Sequence, residues 1–208
     1  MKLQLALDAT SLTAALSVME ATADLVDIIE VGTPLVLHEG AAAVREMKRR
    51  WPRLLVLADF KIMDAGDLEA RVAFDAGADI VTVLAVAETE TVRRACGAAR
   101  AAGRSVMVDM IAVKNSAARA GEMLDAGCDY LCCHTAYDVQ SAGHSPLSSL
   151  KLLREAAPRA RIAVAGGVTP ERIAALIAYG PEIVIVGGYV ANAKDPRAAV
   201  QAVRAAFG

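Results

Sequence analysis

Two carboxylates and a lysine lie at the end of an apolar run in this 208-residue chain. The run at residues 54–60 is typical of a buried strand. Side chains alternate between the two faces of a strand, so Asp59 and Lys61 should share a face, with Asp64 on the loop just beyond. Charged groups are rarely buried unless they are paired or bind a metal or a ligand. The sequence therefore predicts three charges crowded at one spot, either as an ordinary ion pair at a strand end or as a reactive site.

The composition is that of an ordinary folded protein with one domain over residues 1–208. Hydrophobic residues make up 55% of the chain and charged residues 22%, which excludes a disordered protein. The net charge of -2, without a basic stripe, gives no indication of binding to nucleic acid or to a membrane. The first strand begins near Leu3 without a charged leader, and no apolar run is long enough to span a bilayer. We therefore expect a cytoplasmic protein with a small-molecule partner.

Eight short apolar runs predict eight strands. They are residues 3–8, 27–31, 54–60, 80–84, 105–110, 130–134, 162–165 and 183–186. Segments with helical spacing lie between them, at residues 11–23, 40–50, 67–76, 90–102, 116–126 and 170–178. Two turns that lead into a strand, at residues 75–79 and 125–129, are near copies of each other and contain a helix-ending glycine. The repeating unit is therefore one strand followed by one helix.

Eight such units without a break in composition predict a closed (β/α)8 TIM barrel, in a single domain with short loops. A doubly wound sheet is the alternative, but it would usually have a glycine-rich phosphate loop after the first strand, and residues 8–11 are not glycine-rich. The longest interruption, at residues 137–146, should form a lid or rim loop after the sixth strand.

Reactive side chains end five of the predicted strands, where barrel enzymes place their active sites. These residues are Asp8, Glu30, Asp59 with Lys61, Asp109 and His134. The residue two positions earlier is apolar or small in each case, namely Ala6, Ile28, Leu57, Met107 and Cys132. One polar strand end would be explained by a cap or an ion pair. Five on the same face predict a packed barrel interior with a polar site above it.

Glycine pairs follow the seventh and eighth predicted strands. They are Gly166 with Gly167, and Gly187 with Gly188. Barrels commonly bind phosphate with the backbone N–H groups of this pair of loops, and Thr169-Pro170 marks the start of a helix after the first. The sequence therefore predicts a phosphorylated metabolite whose reactive end lies over Asp59 and Lys61.

With these residues in view, the chain resembles the orotidine 5'-phosphate decarboxylase superfamily, whose barrels have an Asp-x-Lys-x-x-Asp motif at the third strand. Here the motif is Asp59, Lys61 and Asp64. Within the superfamily the resemblance is greatest to the branch of 3-hexulose-6-phosphate synthases, and it covers essentially the whole chain. The matching stretches are residues 4–8, 30–34, 106–111, 134–135, 145–147, 163–167 and 184–188.

The resemblance implies an aldehyde-lyase that joins formaldehyde to D-ribulose 5-phosphate in a reversible aldol reaction, through an enediolate, to give a 3-hexulose 6-phosphate. It also implies dependence on Mg²⁺, or on Mn²⁺ in its place, held by Glu30 and Asp59. Lys61 would add positive charge beside the enediolate. The glycines at 166, 167, 187 and 188 would hold the sugar phosphate.

The remaining strand-end residues receive roles from the same resemblance. His134 should move the proton at the reacting carbon, because the ordinary pKa of an imidazole lies near neutrality. Asp109 should orient a sugar hydroxyl or a bound water, and Asp8 either the lysine or a sugar hydroxyl. The resemblance further implies a homodimer in which the strand-end faces of two barrels meet and Asp64 enters the partner's site.

The nearest alternative is a 3-keto-L-gulonate 6-phosphate decarboxylase, which uses a similar barrel and a metal-bound enediolate. That branch typically has Glu, Arg, Thr and Arg at the four positions where this chain has Asp109, Tyr137, Ala165 and Gly188. Decarboxylation of orotidine 5'-phosphate fits less well, since it needs no metal and uses the arginine that Gly188 replaces. A barrel that binds a sugar phosphate without turning it over is the third possibility.

Overall fold

The computed structural model describes residues 1–140 and 145–207 as a closed barrel. Within these residues eight parallel strands pair in chain order, and the last pairs with the first. They are β1 (Lys2–Leu7), β2 (Ile28–Val31), β3 (Leu55–Ile62), β4 (Ile80–Leu84), β5 (Ser105–Asp109), β6 (Tyr130–His134), β7 (Ile162–Ala165) and β8 (Ile183–Val186). Each predicted strand is confirmed to within two residues at its ends, and the single-domain TIM barrel is confirmed with them.

Helices surround the barrel and cover its outer face. The described helices are α1 (Leu12–Thr22), α2 (Thr33–Glu39), α3 (Ala41–Arg50), α4 (Gly66–Asp75), α5 (Thr89–Ala102), α6 (Ser116–Ala126), α7 (Tyr137–Gln140), α8 (Pro146–Ala156), α9 (Pro170–Ile177), α10 (Gly188–Ala191) and α11 (Pro196–Ala205). Side-chain oxygens of the preceding residue accept hydrogen bonds from first-turn N–H groups in four of them, and these caps are Ser11, Asn115, Ser145 and Asp195. In the described part of the chain no helix combines the length and the apolar character needed to cross a membrane.

The strands bury apolar side chains on both faces, as parallel strands in a barrel must. Their outward side chains pack against the helices in one large core. Their inward side chains form a second, smaller cluster inside the barrel, which includes Ala6, Ile28, Leu57, Met107 and Cys132. These are the residues two positions before the polar strand ends, so the predicted packed interior below a polar site is confirmed.

An acidic residue directly precedes each even-numbered strand, and three of these residues form the same pair of bonds with the preceding strand. The aspartate carboxylate accepts a hydrogen bond from a backbone N–H near the start of the odd-numbered strand, and the aspartate N–H donates to the carbonyl of that same residue. We call these pairs the acidic clasps, and they join Leu3 to Asp27, Val56 to Asp79, and Val106 to Asp129. Two of them end the near-copied turns recognised in the sequence.

The fourth position differs. Glu182 precedes β8, and its N–H donates to the carbonyl of Ile162 as in the other three pairs. Its carboxylate instead binds Arg161 in a half-exposed ion pair. The first three odd–even strand pairs therefore share one carboxylate bond, and the pair of β7 and β8 lacks it.

Some elements were not predicted. Helix α2 begins after Gly32 with Pro34 in its first turn, and the exposed His38 lies in its last turn. Helix α8 and helix α11 were also missed. The predicted rim segment at residues 137–146 contains α7 and the start of α8, and its residues 141–144 lie outside the described part of the chain.

We predict that Asp79→Ala destabilises the barrel far more than loss of an exposed ion pair. Asp79 is a largely buried carboxylate that accepts hydrogen bonds from Lys48 Nζ (2.7 Å) and Val56 N–H (2.9 Å), and it also binds Arg104. Removing it leaves two cations unpaired and should lower the free energy of unfolding by about 3 kcal/mol in urea denaturation.

The matched control is Glu20→Ala, which removes the exposed partner of Arg50 and should change the free energy of unfolding by less than about 1 kcal/mol. Equal losses in the two variants would contradict a stabilising role for the clasp.

Candidate active site

One cavity of about 810 Å³ opens at the carboxyl ends of the strands. Ten residues that the sequence singled out line it together, and they are Asp8, Glu30, Asp59, Lys61, Asp109, His134, Gly166, Gly167, Gly187 and Gly188. They come from seven loops or strand ends, because every parallel strand ends at the same rim of the barrel. The predicted clustering of reactive groups at one face is therefore confirmed.

Asp59 is a buried carboxylate that three side chains hold in place. Thr82 Oγ1 donates to Oδ1 (2.8 Å), Thr33 Oγ1 lies 2.8 Å from Oδ2, and Lys61 Nζ binds Oδ2. Burial alone would raise the pKa of Asp59, but the charge and hydrogen bond of Lys61, together with the threonine hydroxyls, lower it below 3.8. Asp59 is therefore ionised, and Oδ1 retains a lone-pair site for a further ligand.

Lys61 reaches the cavity from a distorted part of β3. Its φ of 47° lies in the left-handed region, and the register between β3 and β4 shifts between Ala58 and Ile62. Thr82 Oγ1 accepts the Lys61 N–H (2.9 Å) while donating to Asp59, so one hydroxyl fixes both charged residues. Burial disfavours the ammonium ion, but the charge and hydrogen bond of Asp59 outweigh it and raise the pKa of Lys61 above 10.5. Lys61 is a permanent cation on the same face as Asp59, as predicted.

Glu30 is buried at the end of β2, where its carboxylate is poorly compensated. Burial, and next the negative charge of Asp59, raise its pKa well above 4.5. Gln4 Nε2 donates to Glu30 Oε2 (2.5 Å), which opposes these effects without cancelling them. The other oxygen, Oε1, accepts no hydrogen bond from the described residues and is left for a ligand in the cavity.

His134 and Asp109 form a hydrogen-bonded pair across β5 and β6. His134 Nδ1 lies 2.9 Å from Asp109 Oδ2, and Asp109 Oδ1 accepts the N–H of Ile111 (2.9 Å). Asp109 Oδ2 also lies 3.9 Å from Lys61 Nζ. Because an ionised carboxylate only accepts hydrogen bonds, it holds the His134 proton on Nδ1 and leaves the lone pair on Nε2. The structure thus gives Asp109 a contact that the sequence did not predict.

Asp8 lies at the mouth of the cavity beside two glycines. A Cβ added to Gly32 would lie 2.2 Å from Asp8 Oδ1, so only glycine leaves room for this carboxylate. The residue reaches the surface, yet neighbouring atoms crowd its carboxylate. This partial burial, followed by the charge of Asp59, raises the pKa of Asp8 above 3.8.

The glycine loops after β7 and β8 line another part of the same cavity. Gly166 and Gly167 have φ values of 93° and 67°, which favour glycine, and a Cβ at Gly166 would lie 2.2 Å from the Thr135 carbonyl oxygen. Helix α9 begins directly after this loop, with Thr169 as its N-cap. The loop therefore turns its backbone towards the cavity without side chains in the way.

Asp64 is not brought to this site within one chain. It is exposed beyond β3, outside the cavity, and its Oδ1 accepts the N–H of Ala65 (2.7 Å). The prediction of three charges crowded at one spot is wrong for a single chain, because Asp64 is exposed and does not line the cavity. Asp59 and Lys61 alone form the pair.

Glu30 and Asp59 fit the magnesium ion that the resemblance implies. Among the described residues no three Asp, Glu, His or Cys side chains could hold a metal ion by themselves. Mg²⁺, however, is often held by one or two carboxylates together with water and substrate oxygens. A cation beside these two carboxylates would also offset the burial and repulsion that raise the pKa of Glu30.

Sequence reasoning missed three polar residues that contact the charged groups. They are Gln4, Thr33 and Thr82. Thr82 lies mid-strand in an apolar run, and Gln4 is polar within the first strand, so inward-facing polar residues on predicted strands were the available signal.

The chain matches the model of one protein family over residues 1–203, described as the orotidine 5'-phosphate decarboxylase / HUMPS family. The chain belongs to this family. The resemblance recognised in the sequence is therefore confirmed. Among curated members, the 3-hexulose-6-phosphate synthase of Staphylococcus epidermidis RP62A is 44% identical over 207 residues, covering 100% of this chain and 99% of the relative.

Solved structures of family members agree with this likeness. The 3-hexulose-6-phosphate synthase of Salmonella typhimurium superposes with a TM-score of 0.97 at 43% identity, covering 100% of this chain and 98% of that one. The 3-keto-L-gulonate-6-phosphate decarboxylase of Vibrio cholerae superposes with a TM-score of 0.88 at 28% identity, covering 99% and 96%. This chain is thus similar to both branches of the family in fold, and more similar in sequence to the synthases.

We predict that Asp109→Asn reverses the tautomer of neutral His134. The Ile111 N–H should keep the amide oxygen on its side, so the amide NH2 would face His134 Nδ1 and move the proton to Nε2. The ¹⁵N chemical shifts of the two imidazole nitrogens, measured by NMR on histidine-labelled protein, distinguish these forms.

Exposed His38 serves as the internal control, and its shifts should be the same in both proteins. His134 nitrogen shifts that do not differ between wild type and variant would show that Asp109 does not set the tautomer.

Proposed function

We propose that this chain is an aldehyde-lyase that joins formaldehyde to D-ribulose 5-phosphate, reversibly, to give a 3-hexulose 6-phosphate. The observation that carries the proposal is the single cavity in which the Asp59–Lys61 pair, the Asp109–His134 pair and the glycine loops meet. Full-length similarity to proteins named 3-hexulose-6-phosphate synthase supports it.

Proton transfer is the task of the Asp109–His134 pair. His134 Nε2 takes a proton from the sugar carbon next to the ketone, and the resulting imidazolium is stabilised by Asp109 at Nδ1 (2.9 Å). The enediolate formed in this way attacks the carbon of formaldehyde. A carbon–carbon bond forms, and the new alkoxide becomes the terminal hydroxyl by taking the proton that His134 holds, which returns the imidazole to its neutral form. The reverse reaction breaks the same bond.

Positive charge must face the enediolate while it exists, and Lys61 supplies part of it. The ammonium group is fixed by Asp59 and lies 3.9 Å from Asp109 Oδ2, so it connects the charged pair with the proton-transferring pair. Magnesium, held by Glu30 and Asp59 when bound, would supply further positive charge to the enediolate. Fixed charge in a partly buried site stabilises a developing anion more than water does.

The sugar phosphate would be held at the glycine loops. Backbone N–H groups in positive-φ turns bind phosphate oxygens without needing a cationic side chain. Gly166 and Gly167 have this conformation, and helix α9 begins just beyond them. This arrangement suits a chain that has Gly188 where the related decarboxylases typically have an arginine.

The decarboxylase alternative is less well supported. The four positions at which this chain departs from that branch all line the cavity, and they are Asp109, Tyr137, Ala165 and Gly188. Differences at these positions therefore change the cavity in which the substrate would bind. A barrel that only binds a sugar phosphate is disfavoured, because a base, a fixed cation and several carboxylates are all present in the cavity.

We predict that the purified protein consumes formaldehyde only when D-ribulose 5-phosphate and Mg²⁺ are both present. Formaldehyde loss and hexulose phosphate formation, followed by colorimetric assay and NMR, should be faster than release of CO₂ from 3-keto-L-gulonate 6-phosphate at matched concentrations. Chelation should stop the reaction, and Mg²⁺ should restore it. Faster decarboxylation would establish the alternative, and absence of both reactions would favour a binding protein.

The proposed enzyme is a homodimer with shared active sites. Asp64 is exposed outside its own chain's cavity, and Met63 beside it is 53% exposed. Leu68 and Val72, one turn apart on α4, are 58% and 45% exposed. Large apolar side chains exposed next to an unused carboxylate of the motif support a partner surface at this edge. Asp64 would then enter the site of the partner barrel.

We predict that two inactive variants restore each other when their subunits are exchanged. Lys61→Ala and Asp64→Ala homodimers each lack one charge in every site. A heterodimer with two-fold symmetry would combine both defects in one site and leave the other intact, so random exchange of equal amounts should recover roughly a quarter of wild-type activity. The measurement is the formaldehyde assay after mild unfolding and reassembly.

If Asp64 serves its own chain, both sites of the heterodimer remain defective and the exchanged mixture stays inactive. Mass spectrometry of the intact complex confirms that exchange took place. A fully active wild-type monomer would also refute the shared site.

A further inference from the structure

Gln4 occupies an unusual place for an amide. It lies on β1 with no exposed surface, paired in register with Ile28 of β2 and Ile185 of β8. Both neighbours belong to the apolar cluster inside the barrel. Glutamine is mostly exposed in proteins, and a buried amide destabilises the fold unless its hydrogen bonds are made.

Only one half of this amide is satisfied. Gln4 Nε2 donates to Glu30 Oε2 (2.5 Å), whereas Gln4 Oε1 is the one buried side-chain oxygen or nitrogen among the described residues that has no hydrogen-bond partner. A carboxylate binds a cation in its ionised form, which only accepts hydrogen bonds, so Glu30 in that form faces the NH2 group of Gln4. Stability alone does not explain the residue, because an apolar side chain of the same length would leave no unpaired oxygen.

Glu30 depends on this single contact. Asp59 is held by Lys61 and by two threonines, but Glu30 accepts a hydrogen bond from Gln4 alone among the described residues. The residue opposite Glu30 on β1 is the small Ala6, which leaves room for the longer Gln4 side chain to reach up from the layer below. Gln4 therefore fixes Oε2 and leaves Oε1 of Glu30 for the cavity.

We propose that Gln4 is a positioning residue that holds Glu30 ready for a divalent cation, an inference that rests on the magnesium part of the proposed function. A hydrogen-bonded partner that orients a metal-binding carboxylate commonly changes metal affinity by about 10-fold to 100-fold. The unpaired Oε1 is the structural disadvantage that accompanies this role. The same residue is otherwise out of place in an apolar layer.

The test compares Gln4→Met with a packing control. Methionine keeps the unbranched shape and the volume but cannot donate to Glu30. Ile183 belongs to the same interior cluster and is the first residue of β8. Its replacement by valine removes one methylene group from the cluster and leaves the contact between Gln4 and Glu30 intact. The probe is Mn²⁺ alone, titrated into the metal-free protein and followed by electron paramagnetic resonance of the free ion. Thermal unfolding of the metal-free proteins is measured in parallel.

We expect Gln4→Met to bind Mn²⁺ at least about 10-fold more weakly than wild type, with a metal-free melting temperature no lower than that of Ile183→Val. Its condensation rate should recover towards the wild-type rate at high Mg²⁺ concentration, because the missing contact acts through metal affinity. Gln4→Leu should give the same weakening and serves if the methionine variant does not fold.

Equal Mn²⁺ affinity in wild type and in a folded Gln4 variant would overturn the positioning role while leaving the proposed function untouched. The same holds if Ile183→Val weakens Mn²⁺ binding as much as Gln4→Met does. A wild-type protein that binds no Mn²⁺ would overturn this inference together with the metal dependence of the proposed reaction.

Discussion

The buried ion pair of Asp59 and Lys61 is the contact on which the rest of the site depends. The Asp59 carboxylate is only 4% exposed, and its negative charge is compensated there by the Lys61 ammonium group and by hydrogen bonds with Thr33 and Thr82. Thr82 in turn holds the Lys61 backbone in its left-handed conformation. One hydroxyl group thus stabilises both the strained strand end and the ion pair.

Around this pair the cavity contains more negative than positive charge. Asp8, Glu30 and Asp109 join Asp59 at the rim, and Lys61 is the fixed cation among these strand-end residues. Burial, and next the negative charge of Asp59, raise the pKa of Glu30. Such an arrangement lowers the stability of the empty barrel and is compensated by the apolar layers below it. It is expected at a site that completes its charge balance with ligands.

The sequence was sufficient to predict the eight strands, because the signal for each strand is local. Strands covered on both faces are continuous apolar runs, and β4, β6, β7 and β8 lie where those runs predicted them. The polar strand ends of the site were predictable for the same reason, since all parallel strands end at one rim.

The contacts between those groups were not predictable from the sequence. Thr33 and Thr82 reach Asp59 across 26 and 23 residues, so their contacts depend on strand register and on the distortion at Lys61. Gln4 resembles any polar strand residue until its neighbours are known. The direction of the loop at Asp64 likewise depends on backbone angles that residue types do not fix. The acidic clasps, finally, have a consequence for biosynthesis. Each joins two successive strands within 23 or 24 residues, so the first three pairs can close while the chain is still emerging from the ribosome. The pair β7 and β8 lacks a clasp, and β8 must also reach back to β1 to complete the ring. Because the glycine loops follow the strands of this last pair, the surface proposed to bind phosphate can form only after the first three pairs have emerged.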